Sequence, residues 1–250
     1  MFDAVVLAGG GKPDLLTQQE GVNNKAFIPV KEKPLLGHIL TGLQEAPSIA
    51  RLFVVGPEEE LRTLQKEGYD FTLVPEQGGM LENVEAALKQ VDRSRLCLVA
   101  TGDVPLLNAR VVEGFLALCA PYDHDFYYPI LTKESCESRF PETRRTYVRL
   151  KEGCFTGGNV ALLNPNWFLE ALPRLEIFVS YRKKPLKLFR LLPLSFLFKY
   201  LVHSLTVADL ERQLSSLMQV KARAVPCDFV EIGTDVDKPS DLEAVRGALE

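Results

Sequence analysis

The 250-residue sequence has no surplus of basic residues and no paired cysteines, and these absences exclude several classes of protein. Its 33 acidic residues outnumber its 29 lysines and arginines. The resulting net charge of −4 is unlike the basic footprint that general nucleic-acid binding needs, so we expect no nucleic-acid partner. The five cysteines are scattered and never form a Cys-x-x-Cys pair, which is typical of a reducing compartment and indicates neither a disulfide framework nor a metal site.

Long apolar runs and catalytic histidine motifs are also absent. No stretch reaches the ~20 apolar residues that cross a membrane. The opening Met1-Phe2-Asp3 lacks the basic start of a signal peptide, so we expect a cytoplasmic protein. We interpret His38, His124 and His203 as structural or solvated, because no Ser–His–Asp or Cys–His arrangement stands out.

What the sequence does contain is an apolar run that ends in three glycines. Ala4–Leu7 is short and rich in β-branched residues, as expected of a strand buried on both faces of a parallel sheet. Gly9–Gly11 can turn sharply and expose N–H groups to a triphosphate, which Lys12 and Lys25 can neutralise. The loop matches neither the Walker A pattern nor the dinucleotide fingerprint. Taken alone, it is equally consistent with a turn that only packs a helix on the sheet.

Strand-like and helix-like segments alternate through the first half of the chain, which predicts a parallel sheet with right-handed crossovers. The predicted strands are Ala4–Leu7, Leu52–Val55, Phe71–Val74 and Leu96–Ala100. The predicted helices between them are Leu35–Glu45, Glu58–Lys66 and Leu81–Val91. Later strands are expected at Tyr127–Leu131, Val160–Leu163 and Lys221–Val225, before a closing helix at Asp237–Leu249 with Pro239 near its first turn.

Residues 175–218 do not fit this alternation. A basic stretch at Arg182–Arg190 precedes the apolar Leu191–Leu205, and Thr206 is the expected cap of a further helix. We interpret residues 175–218 as a helical insertion in a single domain that spans residues 1–250. Its apolar surface must be covered by the core, by a second subunit in a homodimer or by a membrane. Pro193 interrupts a long amphipathic helix, so we favour protein contact over membrane contact.

Aspartates mark two further segments. Asp103 stands in the motif ATGDVP directly after the strand Leu96–Ala100, and ligands of open α/β sheets bind beyond the carboxyl ends of the strands. A carboxylate there would repel a triphosphate unless Mg²⁺ bridged the two. The alternative is an aspartate that only caps the turn before Pro105. Asp235 and Asp237 alternate along an extended stretch, so both point to one side and either could be a second metal ligand.

Together, the motifs LAGGG…NKAF, ATGDVP, FTGGN and DVDKPSDLE resemble the molybdenum-cofactor guanylyltransferase-like (MobA-like) NTP transferases of the nucleotidyltransferase superfamily. The resemblance covers the chain apart from the insertion. It implies an α/β fold of the nucleotide-diphospho-sugar transferase (GT-A) type, a Rossmann-like three-layer sandwich with a mostly parallel mixed sheet. It also implies an Mg²⁺-dependent enzyme that transfers a nucleotide from CTP, GTP or UTP to a phosphorylated acceptor and releases pyrophosphate.

The resemblance implies roles for individual residues as well. Asp103 and Asp237 would hold Mg²⁺ with Asp235 beside them, and Lys25 would act with them in catalysis. The nucleotide would contact Leu7, Ala8, Gly9, Gly10, Gly11, Lys12 and Lys25, with Gly78, Gly79 and Asn83 at the base. The acceptor side would be lined by Thr156, Gly157, Gly158 and Asn159 of FTGGN.

The glycine loop departs from the family's usual pattern, which has an arginine in the loop and a short spacing before the lysine. Here the spacer between Gly11 and Lys25 is KPDLLTQQEGVNN, which is longer and contains no arginine. Lys12 is the residue that could take over that charge.

A locally basic stretch, Arg139–Lys151, leads into FTGGN. Because arginine forks suit phosphate, Arg144 and Arg145 are candidates for binding the phosphate of the acceptor. The alternative is a solvated surface loop with ordinary charge.

Two other functions stay open at this point. A nucleotide-sugar glycosyltransferase of the same fold would favour an Asp-x-Asp pair after the central strand, and Asp103-Val104-Pro105 lacks the second aspartate. A catalytically silent nucleotide-binding protein is the other alternative, which the altered glycine loop keeps open.

Overall fold

A nine-stranded mixed sheet lies between two layers of helices. The computed structural model describes residues 1–9, 13–181 and 192–249, and the bounds below refer to that part of the chain. The strands are β1 (Phe2–Leu7), β2 (Pro29–Val30), β3 (Lys33–Pro34), β4 (Ile49–Gly56), β5 (Thr72–Pro75), β6 (Cys97–Thr101), β7 (Phe126–Thr132), β8 (Val148–Leu150), β9 (Gly153–Gly157), β10 (Val160–Leu163) and β11 (Ala222–Pro226).

The large sheet follows the spatial order β5-β4-β1-β6-β10-β7-β9-β8, and β11 pairs with β7. All of its strands except β9 and β10 run in the same direction. The strands β2 and β3 form a separate short hairpin. The predicted α/β fold with a mostly parallel mixed sheet is therefore confirmed.

Helices cover both faces of the sheet. The α-helices are α1 (Leu15–Gln19), α2 (Leu35–Gln44), α3 (Glu58–Lys66), α4 (Met80–Leu88), α5 (Ala109–Cys119), α6 (Lys133–Arg139), α7 (Pro165–Tyr181), α8 (Leu194–Leu201), α9 (Val207–Met218) and α10 (Pro239–Ala248). The larger core includes side chains of α2, α3, α5 and α10, whereas α4 and α7 pack on the opposite face. This gives three layers, helix on sheet on helix.

The first strand lies at the centre of both cores. Ala4 and Val6 face the larger core, and Val5 faces the smaller one, because successive side chains of a strand point to opposite faces. The strand is thus buried on both sides, as its apolar run predicts. It runs parallel to β4 and β6, with Leu7 in register with Val55 and Thr101. The carboxyl ends of the three strands therefore lie side by side.

Most of the predicted elements are present with small shifts at their ends, and α3 and β10 have the predicted bounds. The sequence patterns did not indicate α5, α6 or the hairpin of β8 and β9. The caps of both helices were visible in the sequence, because the side chains of Asn108 and Thr132 accept hydrogen bonds from the backbone N–H groups of Val111 and Ser135. The closing helix begins at Pro239 rather than at Asp237, which lies before the helix.

The helical insertion at residues 175–218 stays a prediction. Its boundary at residue 175 falls inside α7, which already begins at Pro165. Thr206 caps α9 as predicted, and Pro193 stands at the start of α8. The basic residues at positions 182–190 lie outside the described residues. No helix in the described part of the chain has the length and apolar character needed to cross a membrane.

The helix α8 is not covered by the core. None of its residues is buried, and the side chains of Leu194 and Leu201 are 84% and 73% exposed. By contrast, α9 packs through Met218 and Leu217 against Trp167 and Phe178. Contact of the apolar stretch with a second subunit stays a prediction.

We predict opposite effects from adding one methyl group at two helical glycines. At Gly42 in α2, a Cβ atom would lie 2.2 Å from the carbonyl oxygen of Leu107, so Gly42→Ala must push α2 away from its neighbour. At Gly247 in α10 nothing lies within 4 Å. We expect Gly42→Ala to lower the free energy of unfolding by about 1–3 kcal/mol and Gly247→Ala to raise it by roughly 0.5–1 kcal/mol. Urea unfolding of both variants measures this, and equal effects would contradict the packing described here.

Candidate active site

Three aspartates meet beyond the carboxyl end of β6. Asp103 follows β6 directly, and Asp235 and Asp237 follow the 3₁₀ turn Val230–Gly233. One carboxylate oxygen from each of the three lies within 4.8 Å of the others. The backbone N–H of Val236 donates a hydrogen bond of 3.0 Å to the carbonyl of Asp103, which ties the two segments together. The structure therefore brings together the three residues that the sequence analysis proposed as metal ligands.

The backbone of Gly102 joins this cluster to the glycine loop. Its N–H donates a 2.8 Å hydrogen bond to the carbonyl of Leu7 at the end of β1. A Cβ atom on Gly102 would lie 2.9 Å from that same oxygen and 3.1 Å from the Cα atom of Ala8, so only glycine allows the approach. The aspartate next to it is thereby held beside the start of the glycine loop.

Burial and mutual repulsion disfavour the charged forms of two of the aspartates. The pKa of Asp103 is raised chiefly by loss of hydration, and further by the negative charges of Asp235 and Asp237. A 2.6 Å hydrogen bond from the hydroxyl of Thr101 opposes this effect only partly. The pKa of Asp235 is raised by the same two causes, loss of hydration first. The cluster is therefore a place where a cation is favoured.

Lys25 supplies one cation to this cluster. Its Nζ lies 2.7 Å from Oδ1 of Asp237 and 3.2 Å from Oδ2 of Asp14, and its side chain is 25% exposed. Burial by itself would lower the pKa of Lys25, but the hydrogen bonds and charges of the two carboxylates outweigh it, and the pKa is raised. Lys25 is therefore a firmly protonated ammonium group next to the three aspartates.

Two residues that position Lys25, Asn24 and Asp14, are not among the site residues that the sequence motifs indicated. Asn24 accepts a 2.9 Å hydrogen bond from the N–H of Ala26 and caps the short 3₁₀ helix Lys25–Phe27. Its Nδ2 donates a 2.6 Å hydrogen bond to the carbonyl of Ala8, which ties the lysine to the end of β1. Asp14 caps α1 and pairs with Lys25 at the same time. Both belong to residue types that cap helices, and this was the available signal.

The predicted nucleotide residues lie along one edge of the sheet. Leu7 and Ala8 end β1, and their carbonyls are already hydrogen-bonded to Gly102 and Asn24. Gly9 lies against the side chain of Glu76, which precedes Gly78 and Gly79 in the loop after β5. The buried Asn83 accepts a 2.6 Å hydrogen bond from the N–H of Gln77 and so braces this loop. Gly10, Gly11 and Lys12 lie outside the described residues.

The FTGGN motif reaches the same cluster from the other half of the sheet. The N–H of Asn159 donates a 2.9 Å hydrogen bond to the carbonyl of Ile232, and its side chain lies close enough to Asp235 to oppose the rise in the pKa of that aspartate. Thr156 and Gly157 end the preceding strand β9, and the N–H of Gly158 bonds to the carbonyl of Pro129 at 3.1 Å. The motif therefore lies beside the aspartates.

The two candidate arginines differ in their surroundings. The guanidinium of Arg145 donates to the carbonyl of Gly233 and to the hydroxyl of Thr234, the latter at 3.0 Å. It thus holds the segment that carries Asp235 and Asp237. Arg144 is exposed. Binding of an acceptor phosphate by either arginine stays a prediction.

A sequence model of the MobA-like NTP transferase domain matches residues 4–222. The chain belongs to this family. The resemblance carried by the four motifs is thereby confirmed.

Comparisons with individual proteins agree with this membership. A solved structure described as a hypothetical transferase from Thermus thermophilus has a TM-score of 0.85 and is 38% identical, over 96% of this chain and 99% of that one. CMP:2-keto-3-deoxy-manno-octonic acid synthetase in complex with CTP superposes over 100% of this chain and 98% of its own with a TM-score of 0.61; at 13% identity it shows the fold alone. The bifunctional protein GlmU of Parvibaculum lavamentivorans is 30% identical over 121 residues, which are 46% of this chain. The matched part is about a quarter (26%) of that curated relative's length.

The donor set of this MobA-like chain fits a hard divalent cation. All three candidate ligands are carboxylates, and Mg²⁺ prefers such oxygen ligands together with phosphate oxygens. The raised pKa values of Asp103 and Asp235 have the same physical origin, an excess of negative charge with reduced hydration. Asp103, Asp235 and Asp237 are therefore the residues that would hold the metal.

We predict that removing one of these charges stabilises the metal-free protein. Asp235→Asn should raise the free energy of unfolding at pH 7 by roughly 0.5–2 kcal/mol. The uncharged amide is not repelled by the neighbouring carboxylates, and its burial does not remove the hydration of an ion. The folded protein holds the proton of Asp235 to higher pH than the unfolded chain does. The loss of stability caused by ionised Asp235 therefore develops as the pH rises from the ordinary pKa of an aspartate to the raised pKa of Asp235. At low pH, where Asp235 is protonated in both states, the stability gained by Asp235→Asn should vanish.

Urea unfolding in EDTA at several pH values measures this gain. Asp70→Asn is the matched control, because Asp70 is an exposed aspartate outside the cluster, and a change within about 0.5 kcal/mol is expected there. A loss of stability in Asp235→Asn at pH 7 would contradict the repulsion argued above.

Proposed function

We propose that this chain is a Mg²⁺-dependent nucleotidyltransferase that joins the nucleoside monophosphate of an NTP to a phosphorylated acceptor. The observation that carries the proposal is the cluster of Asp103, Asp235 and Asp237, with the ammonium of Lys25 2.7 Å from Asp237, beside the end of β1. Membership of an NTP transferase family supports it. The Mg²⁺ requirement and the phosphorylated acceptor are parts of the proposal.

In this reaction an oxygen of the acceptor phosphate forms a bond to the α-phosphorus of the NTP. The bond between that phosphorus and the α–β bridging oxygen breaks, and pyrophosphate leaves with the electron pair. The acceptor oxygen is already anionic, so no side chain has to remove a proton. This agrees with the absence of a histidine or cysteine motif in the sequence. What the protein must supply is alignment and cancellation of charge.

Each part of the site has a role in that task. Asp103 and Asp237 would hold Mg²⁺ with Asp235 beside them, and the bound ion would neutralise charge on the phosphates. Lys25, protonated and tethered through Asn24, would stabilise the charge that develops on pyrophosphate. The loops at Gly9 and Gly78–Gly79 would bind the nucleotide. The FTGGN motif would line the acceptor side.

CTP, GTP and UTP are the candidate nucleotides. The structure whose fold this chain shares at a TM-score of 0.61 is a synthetase complexed with CTP, which supports testing CTP first. A pyrophosphate-release assay with each of the four NTPs and Mg²⁺, across a panel of phosphomonoesters, tests the proposed activity directly.

We expect Asp103→Ala to abolish turnover in that assay, because it removes a half-buried carboxylate from the cluster. Asp237→Ala should lower turnover strongly and raise the Mg²⁺ concentration needed for half-maximal activity. Asp70→Asn serves as the control and should retain full activity. Full activity of Asp103→Ala at saturating Mg²⁺ would exclude this metal site.

We expect Lys25→Ala to lower kcat by about 100-fold and to change KM for the NTP much less, because the cation acts on charge that develops in the transition state. Lys66→Ala, at the exposed end of α3, is the control and should leave both constants unchanged. An unchanged kcat in Lys25→Ala would show that another residue stabilises the charge that develops on pyrophosphate.

A further inference from the structure

A cavity of about 380 Å³ with almost entirely apolar walls lies next to the candidate active site. Its floor is the outer face of β7, β8, β9 and β11, and its walls come from α7, α8 and α9. The floor includes Phe126, Tyr128, Ile130 and Phe155, and the walls include Phe196 and Leu214. A volume in the range of small-molecule sites, roughly 300–1,000 Å³, distinguishes it from a flat docking face.

The alternation of β7 explains why this face stays open. Tyr127 and Leu131 point to the opposite side and are fully buried in the larger core. Tyr128 points into the cavity and is 37% exposed, and Val148 at the rim is 42% exposed. The helix α8 contributes Phe196 to the wall but buries none of its own residues. Among the described residues, the fold therefore leaves an apolar concave surface partly exposed, and such a surface marks a candidate binding site.

Tyr128 connects the cavity to the acid cluster. Its ring lines the cavity, and its hydroxyl donates a 2.8 Å hydrogen bond to the carbonyl of Gly158 in FTGGN. Partial burial and the nearby carboxylate of Asp235 both raise the pKa of this hydroxyl. Thr156 and Gly157 line the cavity as well. One end of the apolar cavity is thus the acceptor side of the proposed reaction.

We infer that the acceptor is a phosphomonoester that carries a hydrocarbon chain, with its phosphate at the acid cluster and its chain in the cavity between the sheet and α7–α9. This inference rests on the proposed function for the position of the phosphate. The choice of occupant follows from the two ends of the site, one lined by carboxylates suited to a metal–phosphate complex and one without charge over most of its wall. A free polar sugar phosphate would leave the apolar end unused.

Binding of decyl phosphate and methyl phosphate, each with Mg²⁺, tests the inference in the absence of turnover. Trp167 is the only tryptophan of the chain, and its ring lies 5.5 Å from that of Phe126 on the cavity floor, so its fluorescence reports on the cavity. Each buried methylene tightens binding by up to about fourfold, so we expect decyl phosphate to bind at least about tenfold more tightly than methyl phosphate. Equal affinity for the two would overturn the inference.

A variant whose side chain fills the cavity provides a second test of the inference. Ala224 lines the cavity, and Ala224→Phe should weaken decyl phosphate binding at least about tenfold while methyl phosphate binding is unchanged. Ser216→Phe adds the same ring at an exposed position of α9 and should change neither affinity. If Ala224→Phe fails to fold, Val148→Gln at the rim replaces it, with Val202→Gln at an exposed site outside the cavity as its control. A decyl phosphate affinity unaffected by Val148→Gln or Ala224→Phe would overturn the inference.

An assay of pyrophosphate release distinguishes a failure of this inference from a failure of the proposed function. Equal KM values for decyl and methyl phosphate in a working transferase assay would overturn the chain-binding site and leave the transferase standing. Tight binding of decyl phosphate that Ala224→Phe abolishes, without release of pyrophosphate from any NTP, would support the apolar site and contradict the transferase.

Discussion

The candidate site depends on the repulsion between three carboxylates that the fold forces together. Asp103, Asp235 and Asp237 approach within 4.8 Å of one another at a point where hydration is reduced. Such an arrangement costs folding free energy unless a cation balances it. In this structure the balance comes in part from Lys25, which itself is positioned by Asn24 and Asp14. The excess negative charge that destabilises the cluster is also what would make it bind a metal ion.

The fold tolerates the free energy lost to this repulsion because the central strands of the sheet are packed on both faces. The strand β1 is buried between two cores and is in register with β4 and β6. Backbone hydrogen bonds from Gly102 to Leu7 and from Val236 to Asp103 connect the aspartate segments to this packed sheet. Arg145 adds a side-chain contact to Gly233 in the aspartate segment. The backbone segments that carry the aspartates are therefore held together at the ends of the strands.

The two ends of the sheet are packed differently. Around β1, both faces are filled by helices. Around β7–β9, one face is filled and the other is covered only partly by α7–α9. The packed half ends at Asp103 and at the start of the glycine loop, which the hydrogen bond from Gly102 to Leu7 holds together. The open half provides a concave apolar surface whose shape is set by α7–α9, the part of the chain that differs most from the expected alternation.

The sequence by itself determined the class of fold, because alternation of short apolar runs with amphipathic helices is a local pattern that each segment carries alone. It also indicated the three aspartates and the lysine, through the strand end before Asp103, the alternation of Asp235 and Asp237, and the family motifs that contain all four residues. It did not indicate the roles of Asn24, Thr101 and Arg145, because each acts through a contact with a residue distant in sequence or through the geometry of a turn. The start of α7, the uncovered state of α8 and the apolar cavity were decided only by the tertiary structure. These features depend on which side chains of β7 face outward and on how far three helices reach across them, and no local pattern contains that information.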